Sequence, residues 1–320
     1  MKISVVIPIY NEEENVTLLY DELTEVMKSM ACSYEILFVD DGSTDSTLSI
    51  LQSMQAADQR IVVVKFRRNF GQTAAMSAGF DYSSGDVIIT MDGDLQNDPR
   101  DIPRFIQKVE EGFDVVTGWR HDRKDAFLNR RLPSIIANKI ISWTTGVALH
   151  DYGCTLKAFR KEVIKNIHLY GEMHRFIPAI ASGMGISFTE IKVNHRARQF
   201  GTSKYGISRT IRVVLDLITV KFLLSYATRP IQIFGLLGVI SGTAGFLIAL
   251  IMTIQRQFFD IPLSDRPMLL LAIVLIFVGI QFISIGLIGE LQARTYHETQ
   301  KKPVYYVKEV YGFQKQDSDE

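Results

Sequence analysis

Two uncharged apolar runs near the end of this chain constrain its fold more than any other feature. Ile231 to Ile254 is 24 residues without a charge, and Met268 to Gly289 is another 22. As helices rising 1.5 Å per residue, both are long enough to cross a hydrocarbon core of about 30 Å. One such run could be the buried helix of a soluble core. Two in succession, separated by the 13 residues from Gln255 to Pro267, predict a hairpin of membrane spans with both chain ends on one side. The basic residues indicate which side. Lys192, Arg196, Arg198, Lys204, Arg209, Arg212, Lys221 and Arg229 precede the first run and Arg294, Lys301 and Lys302 follow the second, while the connecting turn has only Arg256 and Arg266. The positive-inside bias puts the large N-terminal part and the tail in the cytoplasm.

The start, MKISVVIPIY, is not expected to be a signal peptide, because its short apolar run leads straight into Asn11, Glu12, Glu13 and Glu14. With 47% hydrophobic residues there is ample material for a core, and a net charge of zero gives a nucleic-acid partner no electrostatic support. Cys32 and Cys154 have no paired spacing, which fits a reducing compartment.

From residue 1 to about 115, strand-like and helix-like patterns alternate, predicting a doubly wound, mostly parallel α/β sheet. Strands are expected over Ser4 to Ile9, Glu35 to Val39, Ile61 to Phe66 and Val87 to Met91, and helices over Val16 to Met30 and Leu48 to Met54. Asp41-Gly42 should turn the chain, with Ser43 or Thr44 capping the second helix. RRNFGQTAAMSAGF reads as a loop entering an Ala-rich helix.

Three of these strands end in polar residues. The first leads to Pro8, Tyr10, Asn11 and Glu12, the second to Asp40 and Asp41, and the fourth to Asp92 and Asp94 in TMDGDLQNDP. In a parallel sheet such ends share one edge, where ligands bind. Two carboxylates one residue apart could be an Asp-rich turn, or the oxygen donors of a hard divalent cation shared with substrate phosphates. Three acidic strand ends favour a site. No GxxxxGK[ST] loop occurs, and no GxGxxG follows the first strand, so a P-loop ATPase or a dehydrogenase is disfavoured. His121, His150, His168, His174 and His195 lack HExxH spacing and read as ordinary histidines.

SVVIPIYNEEEN, VDDGSTDST and MDGDLQNDP, in this order and spacing, resemble the family 2 glycosyltransferases of the inverting GT-A fold. GWR at 118 to 120, DYGCTLKAF at 151 to 159 and RQFGTSKY at 198 to 205, followed by two spans, are similar to its polyprenyl-phosphate branch. That branch includes dolichyl-phosphate mannose synthases and bacterial enzymes that load glucose or aminoarabinose onto undecaprenyl phosphate. The likeness covers essentially the whole chain and implies a GT-A (Rossmann-like) catalytic domain over residues 1–205. It is followed by an interface helix over 206–229, two transmembrane helices within 230–290 and a cytoplasmic tail over 291–320. The pattern of Arg209, Arg212, Asp216 and Thr219 against Ile211, Val214, Leu215, Ile218 and Phe222 fits a helix lying at the membrane surface, with a core-packed helix as the alternative.

The same resemblance implies residue roles. Pro8, Tyr10, Glu12 and Asp40 match positions that hold the nucleotide. Asp92 faces donor or metal, Asp94 is the metal ligand, and Gln96 is an additional ligand to the divalent cation, Mg2+ or Mn2+. Arg120 would contact donor phosphate or bridge the substrates. Arg131, Ser134, Arg198 and Ser203 would hold the acceptor phosphate, and Asp151 reads equally as a helix cap or a sugar contact.

The chemistry agrees with this set. A divalent ion can neutralise the departing diphosphate, so no protonating residue is required. The attacking phosphate oxygen is already anionic, so no strong base is needed. Arginine suits phosphate because its planar fork donates two parallel hydrogen bonds. A non-catalytic, membrane-anchored binder of sugar nucleotides is the reading from another class, which the intact Asp92, Asp94 and Arg120 oppose. A processive synthase would carry QxxRW before its spans, and no such string occurs. UDP-glucose is the expected donor, ahead of UDP-aminoarabinose and GDP-mannose. Two spans are few for a membrane unit, so a homo-oligomer, by resemblance a tetramer, is expected. PVYYVKEV in the tail reads as a strand and a subunit-pairing edge.

Overall fold

The computed structural model describes residues 1–121, 147–165, 185–197, 231–259, 267–299 and 305–313, with 142, 167, 174, 177–182 and 261–262. The chain divides into two compact units, one comprising Met1–Val220 with Pro303–Glu320 and the other Lys221–Lys302.

The first unit is built on β1 (Lys2–Ile9), which pairs in parallel with both β2 (Ser33–Asp40) and β4 (Val87–Thr90). β3 (Ile61–Phe66) pairs in parallel with β2. Val5, Val6 and Ile7 are all buried, so both faces of β1 are covered, as their uninterrupted apolar run requires. The connecting helices are α1 (Val16–Ser29), α2 (Thr47–Ala57) and α3 (Gln72–Tyr82). α1 turns Val16, Leu19, Leu23 and Met27 inward, the spacing of one helical face. α4 (Ile102–Glu110) does the same with Ile102, Phe105, Ile106 and Val109, and carries a proline in its first turn, where a missing N–H removes no helical bond.

Beyond β4 the topology changes. β6 (Lys157–Arg160) lies antiparallel between β4 and β5 (Val115–Trp119), and β7 (Phe188–Lys192) runs parallel to β5. On the far side, β8 (Val307–Tyr311) pairs antiparallel with β3. The eight strands follow the order β7-β5-β6-β4-β1-β2-β3-β8. The tail strand therefore joins the sheet of its own chain. Because β2 and β4 flank β1, the chain leaves β1 in opposite directions, and the crevice at the carboxyl ends of β1 and β4 is the topological switch point.

One local expectation is corrected. Neither Ser43 nor Thr44 caps α2, whose N-cap is Ser46 without a side-chain bond. Both residues instead tie the loop after β2 to the loop after β1. The Ser43 hydroxyl accepts from Asn11 N at 3.0 Å, and Thr44 N donates to Asn11 Oδ1 at 2.8 Å.

In the second unit, α5 (Ile231–Phe259) and α6 (Pro267–Thr299) contain the two apolar runs, and among their described residues Leu236, Phe246, Phe277 and Leu287 are exposed. These helices are long and apolar enough to cross a membrane. They cross where small residues allow backbones to approach. A Cβ on Gly238 would come within 2.6 Å of the Gly279 carbonyl oxygen, and one on Gly279 within 2.7 Å of that of Gly238. Ser241 Oγ donates to the Leu275 carbonyl at 3.0 Å beside this crossing. The expected interface helix over 206–229 lies outside the described residues.

Candidate active site

The carboxyl ends of β1, β2 and β4 place Tyr10, Asp40 and Asp92 on one edge of the sheet. The loop after β1 is held by backbone donors. Asn11 takes the left-handed conformation (φ 52°), which asparagine tolerates, and Glu12 N donates to Thr47 Oγ1 at 2.9 Å. Pro8 pairs with Val39 in register, and the Glu12 carboxylate accepts from Asn15 Nδ2 at 2.6 Å.

The adjacent aspartates after β2 have different tasks. Asp41 accepts from the backbone amides of Phe70 at 2.6 Å and Gly71 at 2.9 Å, pinning the loop that precedes α3. Burial pushes its carboxyl up to about 6; those amide bonds oppose the shift, as does Arg68, while the neighbouring Asp40 reinforces it. Asp40 is fully buried. Its Oδ1 accepts from Ser43 N at 3.0 Å, but its buried Oδ2 has no hydrogen-bond partner. A buried carboxylate oxygen left without a donor is costly, so Asp40 holds a vacant acceptor at the edge of the crevice.

At the end of β4, Asp92 is braced from two elements. Gln72 Nε2, at the start of α3, donates to Asp92 Oδ1 at 2.8 Å, and the Thr155 hydroxyl donates to Oδ2 at 2.6 Å. Asn97 accepts from Asp92 N at 2.9 Å and closes the loop. Burial, and next the charge of Asp94, push Asp92 up to about 6. Asp94 is itself buried and accepts from Gln96 N at 3.2 Å across Leu95, a non-glycine residue at φ 61°. Gly93 lies where a Cβ would push against the end of the Ile9 side chain, so this loop packs closely on β1.

Arg120 follows β5. Its Nε and Nη2 donate to the two carboxylate oxygens of Asp151 at 2.7 and 2.9 Å, in a fork in which both side chains are largely buried. Asp151 is therefore the counter-ion of Arg120. Burial opposes the guanidinium charge, and Asp151 more than restores it. Lys157, on β6, is buried behind them and donates to the carbonyls of Cys154 and Tyr152. Burial pulls its ammonium down to about 8.

The segment after β7 runs back beside the acidic loop. Arg196 N donates to the Gln96 carbonyl at 3.0 Å, and Asn97 bridges His195. Arg196 also pairs with Asp98 at 2.8 Å. Arg198 and Ser203 lie outside the described residues, as do Arg131 and Ser134. Among the described residues, no three His, Cys, Asp or Glu side chains converge as a metal centre. Gln72, Asn97, Thr155 and Lys157 were not among the residues expected at the site. The last two sit two residues apart in DYGCTLKAF, a string that carries the family resemblance without marking either of them individually.

A GT-A sheet with an acidic pair at its switch point defines the class as a nucleotide-sugar glycosyltransferase. The chain belongs to glycosyl transferase family 2, whose sequence profile matches residues 4–168. It is 44% identical to the dodecaprenyl-phosphate galacturonate synthase of Rhizobium johnstonii over 99% of this chain and 95% of that protein. With the undecaprenyl-phosphate 4-deoxy-4-formamido-L-arabinose transferase of Salmonella choleraesuis it shares 40% identity, covering 97% of this chain and 93% of the relative. Among solved structures, a glucosyl-3-phosphoglycerate synthase from Mycobacterium tuberculosis with Mn2+, UDP and phosphoglyceric acid has the same fold. Its TM-score is 0.54 at 17% identity, over 70% of this chain and 78% of that one. A mannosyl-3-phosphoglycerate synthase from Rubrobacter xylanophilus gives 0.57 at 16%, over 69% and 74%.

Proposed function

We propose that this membrane enzyme transfers a sugar from a nucleotide-sugar donor to polyprenyl phosphate, with inversion at the anomeric carbon. The observation that supports this reading is that Asp40 and the Asp92–Asp94 pair leave strands on either side of β1 at one edge of the sheet, in a chain similar along its whole length to enzymes named for polyprenyl-phosphate acceptors.

The vacant Oδ2 of Asp40 suits an N–H of the nucleotide base, and Pro8, Tyr10 and Glu12, on or just after the strand that pairs with β2, would complete the nucleotide site. Asp94 is buried and Asp92 half-buried beside it, and the charge of Asp94 raises the cost of ionising Asp92, so the pair is a donor set whose repulsion a divalent cation would relieve. Asp94 and Gln96, with Asp92 beside them, would hold Mg2+ or Mn2+. When bound, that ion supplies charge neutralisation for the departing diphosphate. Arg120, with two nitrogens committed to Asp151, keeps Nη1 for a phosphate oxygen. The lipid phosphate oxygen attacks the anomeric carbon as the bond to the diphosphate breaks, and the nucleoside diphosphate leaves with that electron pair. Arg196 lies against Gln96, so the segment carrying Arg198 and Ser203 sets out from the acidic loop. This favours Arg198 and Ser203 for the acceptor phosphate, with Arg131 and Ser134 added to the set by the family resemblance alone.

Both relatives are named for sugars bearing a polar substituent, galacturonate and formamidoarabinose. We therefore place such donors beside UDP-glucose, the first expectation. The test is a panel of UDP-glucose, UDP-galacturonate, UDP-4-deoxy-4-formamido-L-arabinose and GDP-mannose with undecaprenyl phosphate, scored by lipid-linked product. One donor should give product that Asp94→Ala reduces at least about 1000-fold without unfolding the protein, in line with loss of electrostatic stabilisation of a leaving group. No product from any donor, or wild-type turnover by Asp94→Ala, overturns the reading.

A further inference from the structure

The segment from Arg67 to Gln72 links the two ends of the donor site. At one end the amides of Phe70 and Gly71 hold Asp41, the neighbour of Asp40. At the other, Gln72 holds Asp92. The geometry of this segment therefore sets where the nucleotide base and the diphosphate can lie relative to each other, if the donor site is as proposed above.

What fixes this segment comes from the far end of the chain. β3 and β8 pair regularly up to a register shift between Lys65 and Phe66. Beyond the shift the tail continues along the loop, where Arg67 N donates to the Tyr306 carbonyl at 3.1 Å. The Tyr305 ring stacks on Phe66 at 5.1 Å and 15°, and Phe66 meets Phe70 edge-on at 5.7 Å. Tyr306 lies against Phe70 at 6.0 Å. The Tyr305 hydroxyl donates to Asp81 on α3 at 2.7 Å, so the same residue grips the helix that begins with Gln72. A strand that merely completed the sheet would need only its ladder with β3. These contacts are additional, and they concentrate on the two elements that hold Asp41 and Asp92.

We propose that Tyr305 and Tyr306 are positioning residues for the nucleotide diphosphate: the tail strand holds Phe70 and α3 so that Asp41 and Gln72 keep the donor site in register. The step runs from Tyr306 to Phe70, from Phe70 N to Asp41, and from Tyr305 through Asp81 and α3 to Gln72 and Asp92. It makes the part of the chain that follows the membrane spans a contributor to donor recognition. Aromatic pairs of this kind stabilise beyond the area they bury, and three of them on one short loop bias it toward a single arrangement.

The test uses the full chain in detergent with Mn2+, titrated with UDP and GDP. With whichever nucleotide the wild type binds, Tyr305→Ala and Tyr306→Ala should weaken binding about tenfold and raise donor KM, leaving the KM for polyprenyl phosphate unchanged. Tyr305→Phe keeps the ring stack on Phe66 but loses the hydroxyl bond to Asp81, and should recover the affinity only in part. Tyr311→Ala is the control. It loosens β8 on the core opposite Val63, away from the 67–72 loop and α3, and should leave nucleotide affinity within about twofold. Should the alanine variants not fold, hydrogen exchange on the wild type decides, with the nucleotide slowing amide exchange at both 67–72 and 305–307. Wild-type affinity in folded Tyr305→Ala and Tyr306→Ala, an equal loss in Tyr311→Ala, or protection confined to 67–72 overturns the proposal. A folded wild type that binds neither nucleotide sinks the donor reading itself, and this inference with it.

Discussion

Asp151 and Arg120 show how one buried pair can decide a site's geometry. The carboxylate takes two guanidinium nitrogens, and its Oδ1 also accepts from Gly153 N at 3.1 Å, so the fork is fixed from both sides. Removing one member of such a pair leaves a charge buried without its partner, which costs about 3–5 kcal/mol. Asp151→Asn should accordingly lower thermal stability and reduce transfer at least tenfold. Differential scanning fluorimetry and a lipid-product assay would measure both. A variant as stable and active as the parent would show that Arg120 needs no counter-ion. The acidic strand ends were readable in the sequence because a charged residue directly after an apolar run marks where the strand leaves the core. The partner of Arg120 was not, because 31 residues separate the two and nothing local signals their meeting. Thr155 and Gln72 escaped for the same reason. Hydroxyl and amide side chains are common everywhere, and only the fold shows that these two converge on Asp92.

At the level of elements, the parallel half of the sheet was legible because each strand is covered on both faces and reads as a continuous apolar run bounded by turns. β6 was not. It spans only four residues, Lys157–Arg160, and two of them are basic, so no periodicity betrays a strand. Its place between β4 and β5 is set by tertiary pairing that no local pattern encodes. The capping of α2 failed for a related reason: Ser43 and Thr44 found better partners in Asn11, a residue from another loop. The membrane-type helices were legible in length but not in how they meet. A Cβ on Gly279 would strike backbone atoms of Gly238 and Gly242 at 2.7 and 2.8 Å, whereas one on Gly242 would meet nothing within 4 Å. Gly279→Ala should therefore force α5 and α6 apart and destabilise the pair by roughly 1–3 kcal/mol, the usual cost of overpacking. Gly242→Ala should be neutral. Thermal unfolding of the two variants in the same detergent would compare them directly; equal behaviour would remove the close crossing.

For the molecule as a whole, both ends of the Lys221–Lys302 unit lead into the unit that carries the sheet. A hairpin of two spans is the arrangement that lets one chain do this, and we propose that the sheet lies on the cytoplasmic face of the inner membrane. The bias of basic residues away from the connecting turn supports that orientation. Ser264→Cys, in that turn, should react with a membrane-impermeant maleimide on intact cells, whereas Cys32 should react only after permeabilisation. The reverse pattern would invert the topology.

The position of β8 also orders events during synthesis. β3 is made early, at Ile61–Phe66, yet the strand that covers its edge is not translated until after both apolar helices. The nascent sheet therefore waits with one edge open while the spans emerge, and an open edge invites pairing with other chains. Membrane insertion and completion of the catalytic sheet become consecutive steps of one biogenesis. A ribosome that stalls or terminates between them releases a chain with that edge uncovered.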